Sequence, residues 1–299
     1  YEILIGLVGS EMCIRDRVDI TDHDRMDVVS SYGYAWGYIG SCVPFVISLV
    51  FVLMYEKIGI TIGMAMMLAF FLNAAWWFLV TIPLLKKYKQ VNYAQMPTHP
   101  VRDSFRRLIN TLKDIKAEKN IFLYLLSFFF FIDGVYTIIE MATAYGSALG
   151  LDSTGLLLAL LVTQIVAFPC ALIFARCSKK YETDLLIKIC IAAYTGIALF
   201  AIQLDKQWEF WLLAVLVGMF QGAIQALSRS YFAKIIPAEK AGEYFGIYDI
   251  CGKGASFLGT TLVGVIAQLT NVANAGVAMI TVLFVIGFVL FCKAAKLNK

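Results

Sequence analysis

The sequence predicts an all-α, polytopic transmembrane helical bundle, and three observations predict it: eight long apolar stretches, an apolar composition, and basic residues gathered on alternate connections. The stretches are Gly33–Tyr55, Ile58–Leu85, Asn120–Met141, Gly155–Ala175, Leu185–Leu204, Phe210–Leu227, Tyr244–Leu269 and Ala273–Cys292. A spanning helix needs about 20 apolar residues, because lipid cannot satisfy exposed backbone groups. Of the 299 residues 60% are hydrophobic and 15% charged, and the mean hydropathy is +0.77. A water-soluble domain of that length lacks the interior to hide so much apolar surface. The lipid bilayer is therefore the first expected partner.

Charge sets the expected orientation. With both ends and every second connection on one side, that side holds Arg25, the nine basic residues of Lys86–Lys119, Arg176, Lys179, Lys180, Lys188, Arg229, Lys234, Lys240 and the tail lysines. The other side holds Lys57 and Lys206. The positive-inside rule makes the first side cytoplasmic, with both termini on it. The basic residues then report topology, and nucleic acid is not an expected partner.

Taken in order, the chain opens with Tyr1–Arg17, whose apolar run is too short to span and lacks a signal-peptide cleavage site. The string GLVGSEMCIRDR resembles translated sequencing-adapter read-through, so residues 1–17 are expected to be a non-native lead-in. The first span begins with Gly33, Gly37 and Gly40, a spacing that permits close helix approach. After the second span comes a polar connection, residues 86–119, in which Val101, Phe105, Leu108, Ile109, Leu112 and Ile115 recur at helical spacing among basic residues. That pattern predicts an amphipathic helix on the cytoplasmic membrane face, beginning near Pro97 or Pro100.

The third span carries Asp133 near mid-depth, Tyr136 three residues on and Glu140 seven residues on. A carboxylate in hydrocarbon costs a few kcal/mol, so Asp133 should face the bundle interior or a watery cavity. Two readings stand: a face that binds substrate amines or protons, and a carboxylate that fixes helix packing. The fourth span has one amide, Gln164, read as glue between helices. The sixth starts beside Trp208 and Trp211, an interfacial belt, and carries Gly218 and Gly222 as a GxxxG packing pair. Gln221 and Gln225, four apart, line a polar path or join helices; Arg229 falls at the cytoplasmic end. In the seventh span Asp249 and Lys253 are four apart with the acid first, the favoured order for a helical ion pair. They form a structural salt bridge or a site where a solute's carboxylate and ammonium compete.

Enzymatic chemistry is not expected. Tyr248-Asp249 is half of an intramembrane aspartyl protease signature, but Phe131-Ile132 stand where its partner motif needs glycine. HExxH is absent, and Gly252-Lys253-Gly254 lacks the spacing of a P-loop. The seven cysteines follow no disulfide or CxxC pattern, and the two histidines, His23 and His99, lie in connections. No cofactor or metal is implied, and a monomer is expected.

One block, QGAIQALSRSYFAKIIPAEKAGEYFGIYDICGKGASFLG (Gln221–Gly259), resembles the vacuole effluxer-like family of the major facilitator superfamily, in its bacterial branch. SSYGYAWGYIG (Ser30–Gly40), FIDGVYTIIEMATAYG (Phe131–Gly146) and ARCSKKY (Ala175–Tyr181) resemble the same family, so the likeness covers about Asp19 to Cys292. One departure is Thr260, where the family pattern tends to place proline after the glycine. The resemblance implies a major facilitator fold fragment of about eight of twelve helices. On that reading residues 18–85 are the last two helices of an N-terminal repeat, 86–119 a linker, and 120–299 a complete C-terminal six-helix repeat. It further implies that four helices are missing before residue 18.

The function implied is secondary active transport of small polar metabolites by alternating access. Amino-acid efflux is the substrate class of the family's eukaryotic members, and proton coupling would run through Asp133. The expected substrate and coupling residues are Asp133, Tyr136, Glu140, Gln221, Gln225, Asp249 and Lys253. Arg229 and Glu243 are the gate pair that cytoplasmic charges form in major facilitators. The alternative is a non-transporting scaffold whose buried polar residues only hold helices together.

Overall fold

Long helices fill the computed structural model, which describes residues 25–87, 100–237, 240–270 and 273–297. In order they are α1 (Met26–Leu53), the short α2 (Tyr55–Ile58), α3 (Ile62–Lys87), α4 (Pro100–Ala117), α5 (Lys119–Ala148), α6 (Ser153–Cys177), α7 (Thr183–Ala201), α8 (Gln207–Ile235), α9 (Ala241–Thr270) and α10 (Ala273–Leu297). Eight of them are long and apolar enough to cross a membrane. The lead-in Tyr1–Arg17, His23, Pro97 and His99 lie outside the described residues.

The sequence separates these helices with local signals. Gly59 closes α2 and Gly150 follows α5, each in the left-handed region (φ 78° and 76°) where a side chain would be strained. Asp152 caps α6 by accepting from the Gly155 amide at 2.7 Å, and its own amide donates to Gln207 Oε1 at 3.2 Å. Glu209 Oε2 accepts the Asp205 and Lys206 amides at the start of α8 (3.0 and 3.2 Å). Pro100 is the first residue of α4, where its missing N–H costs nothing.

Several helices outrun the apolar stretches that announce them. α1 begins seven residues before Gly33, and α8 continues eight residues beyond Leu227. Both extensions carry polar residues yet are largely buried, because the start of α1 meets α8 there and α5 covers the end of α8. Ser30 Oγ donates to the Ala226 carbonyl of α8 at 2.9 Å, and Tyr124 Oη of α5 donates to the Ser228 carbonyl at 2.6 Å.

The core lies among α5, α7, α8, α9 and α10. Tyr124, Phe128, Phe131, Tyr194, Phe232, Phe284 and Phe291 are all essentially inaccessible there. Tyr124 stacks on Phe232, and Phe128 stacks on Tyr248 with centroids 4.0 Å apart. α1 packs against α6 and α8, and α3 packs on α1. α3 turns Phe70, Phe71, Trp77 and Phe78 outward, each more than 60% exposed, a surface that hydrocarbon accommodates.

The GxxxG reading of α8 holds in detail. A Cβ on Gly218 would stand 2.7 Å from the Thr163 carbonyl oxygen, a backbone atom of α6 that cannot swing aside. Gly222 lies against Tyr38 of α1 and Ala171 of α6. Gly218→Val is therefore expected to destabilise the chain by about 2 kcal/mol through overpacking. A thermal unfolding scan in detergent checks this, and an unchanged midpoint would refute the close α6–α8 approach.

Candidate functional site

A polar cavity of about 350 Å³ opens between α1, α5, α8 and α9. Tyr34 enters it from α1; Phe128, Tyr136 and Glu140 from α5; Gln225 and Arg229 from α8; and Tyr248, Asp249, Gly252, Lys253 and Ser256 from α9. Arg229 lies six residues before the end of α8 and Asp249 eight residues after the start of α9. At ~1.5 Å per residue both sit roughly 9–12 Å inside their helices. Five of the seven expected substrate residues thus share one wall system: Tyr136, Glu140, Gln225, Asp249 and Lys253.

Charge in the cavity is balanced and directional. The Arg229 guanidinium, 7% exposed as a residue, lies 3.7 Å from Asp249 Oδ1 and 5.7 Å from the centroid of the Tyr34 ring. A planar cation held between a carboxylate and an aromatic face is fixed in orientation. Glu140 Oε2 accepts from Ser256 Oγ at 2.7 Å, and both residues line the cavity. Two cations and two carboxylates, spread over α5, α8 and α9, can hold a small dipolar solute by both ends.

Arg229 corrects the sequence reading in place and in partner. It is not at a cytoplasmic helix end, because α8 runs on to Ile235. Its carboxylate neighbour is Asp249. Glu243, the other expected gate residue, stands at the start of α9 and accepts from Thr111 Oγ1 of α4 at 2.7 Å. The two residues meet different elements and form no pair with each other among the contacts the structure gives them.

Asp133 is also relocated. It is completely buried and absent from the cavity wall. Its Oδ1 accepts from the Gly259 amide at 2.9 Å and from Thr137 Oγ1 at 3.4 Å. Its Oδ2 has no hydrogen-bond partner among the described residues. The seven-residue spacing does put Asp133 and Glu140 on one face of α5, and that face meets α9 at two levels, Gly259 and Ser256. A Cβ on Gly259 would overlap the Asp133 carboxylate and the Thr137 hydroxyl, so a larger residue there would displace them. Gln221 parts company with Gln225: it is 6% exposed and lines a separate cavity of about 50 Å³ with Gln164 and Thr163.

Sequence reasoning missed a second charged cluster. Asp27 of α1 is 4% exposed, and its Oδ2 lies 2.6 Å from Lys234 Nζ of α8 and 2.7 Å from Thr183 Oγ1 of α7, while Ser230 Oγ donates to its Oδ1. Lys234 Nζ also donates to Thr183 Oγ1 at 3.1 Å. This knot ties three helix ends on the basic face. The only sequence signal was an acid just ahead of the first apolar stretch. At the opposite face Tyr145 Oη donates to the Ala201 carbonyl and Asn274 Nδ2 to the Ile202 carbonyl, a neutral tie between α5, α7 and α10. Among the described residues no three His, Cys, Asp or Glu side chains converge on a metal position, and the six described cysteines are free.

Comparison with known proteins places this geometry. The chain matches the family described as vacuole effluxer Atg22 like over residues 12–297. It is 44% identical over 275 residues to the uncharacterized MFS-type transporter YxiO of Bacillus subtilis (strain 168), covering 91% of this chain and 64% of that protein. It is 25% identical over 270 residues to autophagy-related protein 22-1 of Penicillium rubens, covering 80% of this chain and 44% of the relative. The chain thus spans between under half and about two thirds of the length of these curated relatives. In fold it is similar to a bacterial homologue of the iron transporter ferroportin, crystallised in an outward-facing state, with a TM-score of 0.64 at 13% identity over 93% of this chain and 66% of that one. It is similar also to the human organic anion transporter MFSD10, with a TM-score of 0.59 at 13% identity over 94% of this chain and 67% of that one. An all-helical membrane bundle with major facilitator neighbours and a family match from end to end of its spans leaves one assignment: the chain belongs to the vacuole effluxer Atg22-like family of major facilitator proteins.

Proposed function

We propose that this chain forms the solute-binding part of a secondary transporter for small polar metabolites, amino acids first among them, working by alternating access and exporting from the cytoplasm. The observation that carries the reading is the polar cavity whose walls bring Arg229 and Lys253 together with Glu140, Asp249 and aromatic side chains. An α-amino acid is a dipole of matching size: its carboxylate pairs with Arg229 or Lys253 and its ammonium with Asp249 or Glu140. The family's description as effluxers supports the direction. α1 and α3 act as the last two helices of an N-terminal repeat, residues 86–119 as its linker, and residues 120–299 as the six-helix C-terminal repeat. The cavity then lies between repeats, where transporters place their substrate. The basic face is cytoplasmic, the membrane is the bacterial inner membrane, and the protein works as a monomer.

Asp133 supplies coupling without touching solute. It grips the Gly259 amide of α9, the helix that carries Asp249, Lys253 and Ser256. A proton on that carboxylate weakens a charge-assisted bond and loosens α9 against α5. The second reading, a scaffold whose polar residues only pack, is favoured by Asp133 and by the Asp27 cluster, whose contacts are internal.

Binding measurements separate the two. The purified chain in lipid nanodiscs is titrated with each radiolabelled amino acid, across pH 5 to 8. Saturable binding of at least one, weakened at least tenfold by Lys253→Gln, is the expected result. Asp133→Asn should keep that binding while flattening its pH dependence. No saturable binding of any amino acid by a chain with normal helical circular dichroism would refute the amino-acid assignment. Equal pH dependence with and without Asp133 would refute the coupling role.

A further inference from the structure

The amphipathic helix α4 is fastened to α9. Thr111 Oγ1 donates to Glu243 Oε2 at 2.7 Å, Lys240 Nζ lies 2.8 Å from Asp114 Oδ2, and Ile115 is 3% exposed in the main core. The Asp114 carboxylate bonded to it holds the Lys240 ammonium above its ordinary range. Thr111, Ile115 and the half-buried Leu108 form the inward face of α4.

The remaining surface of α4 has its own order. At ~100° per residue, Leu112, Lys116, Ile109, Arg102, Lys113 and Arg106 follow one another across roughly 120° of the helix circumference. Ile109 and Leu112 are 51% and 48% exposed, and all four basic residues are exposed. An apolar strip edged by cations has the chemistry of a membrane interface, with stems in the acyl boundary and charges at phosphate level. Position agrees. One residue, Glu118, separates α4 from α5, and Phe122 in the first turn of α5 is turned outward at 43% exposure. α4 is thus held at the depth where a spanning helix enters hydrocarbon. Asp114 is neutralised by Lys240, and the exposed Glu118, which follows the end of α4, falls by the same arithmetic on the side opposite the strip.

We propose that α4 is an anionic-lipid lever: its apolar-basic strip docks on the phosphate headgroups of the adjoining leaflet, and the Thr111–Glu243 and Asp114–Lys240 contacts transmit that docking to α9. α9 carries five cavity residues, Asp249, Lys253 and Ser256 among them, so leaflet composition adjusts the cavity whatever solute it takes. A lipid surface attracts such a strip with a strength set by its negative charge and screened by salt.

Hydrogen exchange on the 299-residue chain tests this without any transport assay. Nanodiscs of phosphatidylcholine are compared with discs in which phosphatidylglycerol replaces a third of the lipid. Amides of residues 106–117 should exchange about tenfold more slowly in the anionic disc, and those of residues 241–248 should slow with them. Raised salt or the double variant Arg106→Gln with Lys113→Gln should remove both effects, and soluble glycerol phosphate should produce neither. Thr111→Val with Asp114→Asn should keep the slowing in α4 and lose it in α9. Identical exchange in the two discs would overturn the lipid contact. Slowing of α4 with an unresponsive α9 in the unaltered chain would overturn the lever.

Discussion

Replacing Asp27 by alanine should destabilise this protein by about 3 kcal/mol, because it removes the acid from a buried pair and strands the cation. Lys234, Thr183 and Ser230 all direct donors to that carboxylate, and Asp27 is 4% exposed. Loss of the acid leaves an ammonium with 29% of its side chain exposed and a single hydroxyl partner, Thr183. Ser230 and Thr183 then carry hydroxyls without their acceptor. The measurement is the midpoint of thermal unfolding in detergent, where a fall of several degrees is expected. Asp27→Ala combined with Lys234→Met should recover part of the loss, since no unpaired charge remains. Additive losses in the double variant would show that the two residues act separately.

Arg229→Gln is expected to weaken solute binding about 100-fold, the scale of removing a buried cation from a charge pair with a bound carboxylate. The guanidinium holds Asp249 at 3.7 Å and covers the Tyr34 ring, so its removal takes one partner from the carboxylate and opens the wall beside it. Arg229→Lys keeps the charge and loses the planar fork, and its affinity should fall between the two. Equilibrium binding to the chain in nanodiscs reads all three. Unaltered affinity in Arg229→Gln would remove the residue from the binding site and leave it a structural link between α8 and α9.

These residues show what limits a reading from sequence. The depth of Asp133 in its span was legible, because length along a helix follows from residue count. Which neighbour it would face was not, since that depends on α9 approaching through Gly259. The i, i+7 relation to Glu140 correctly put both acids against one helix, but one level is sealed and the next is open. Ser228-Arg229-Ser230 read as a polar exit from the membrane. The structure buries all three, because Tyr124 and the polar start of α1 cover that turn. Gln221 and Gln225 share a stripe of α8 only in projection, and helices on either side divide them between two cavities.

By itself the sequence determined that this is a helical membrane bundle, where its spans run and which face is basic. Those properties come from transfer of side chains between water and hydrocarbon, summed locally along the chain. It also carried the amphipathic pattern of α4, because periodicity is a local property. Tertiary structure alone decided that Asp27 joins Lys234 across 207 residues, that Arg229 serves the cavity, and that Glu243 serves α4. An ion pair is chosen by distance in space. In a bundle that distance is set by which small residues let two helices touch, and no local pattern contains it.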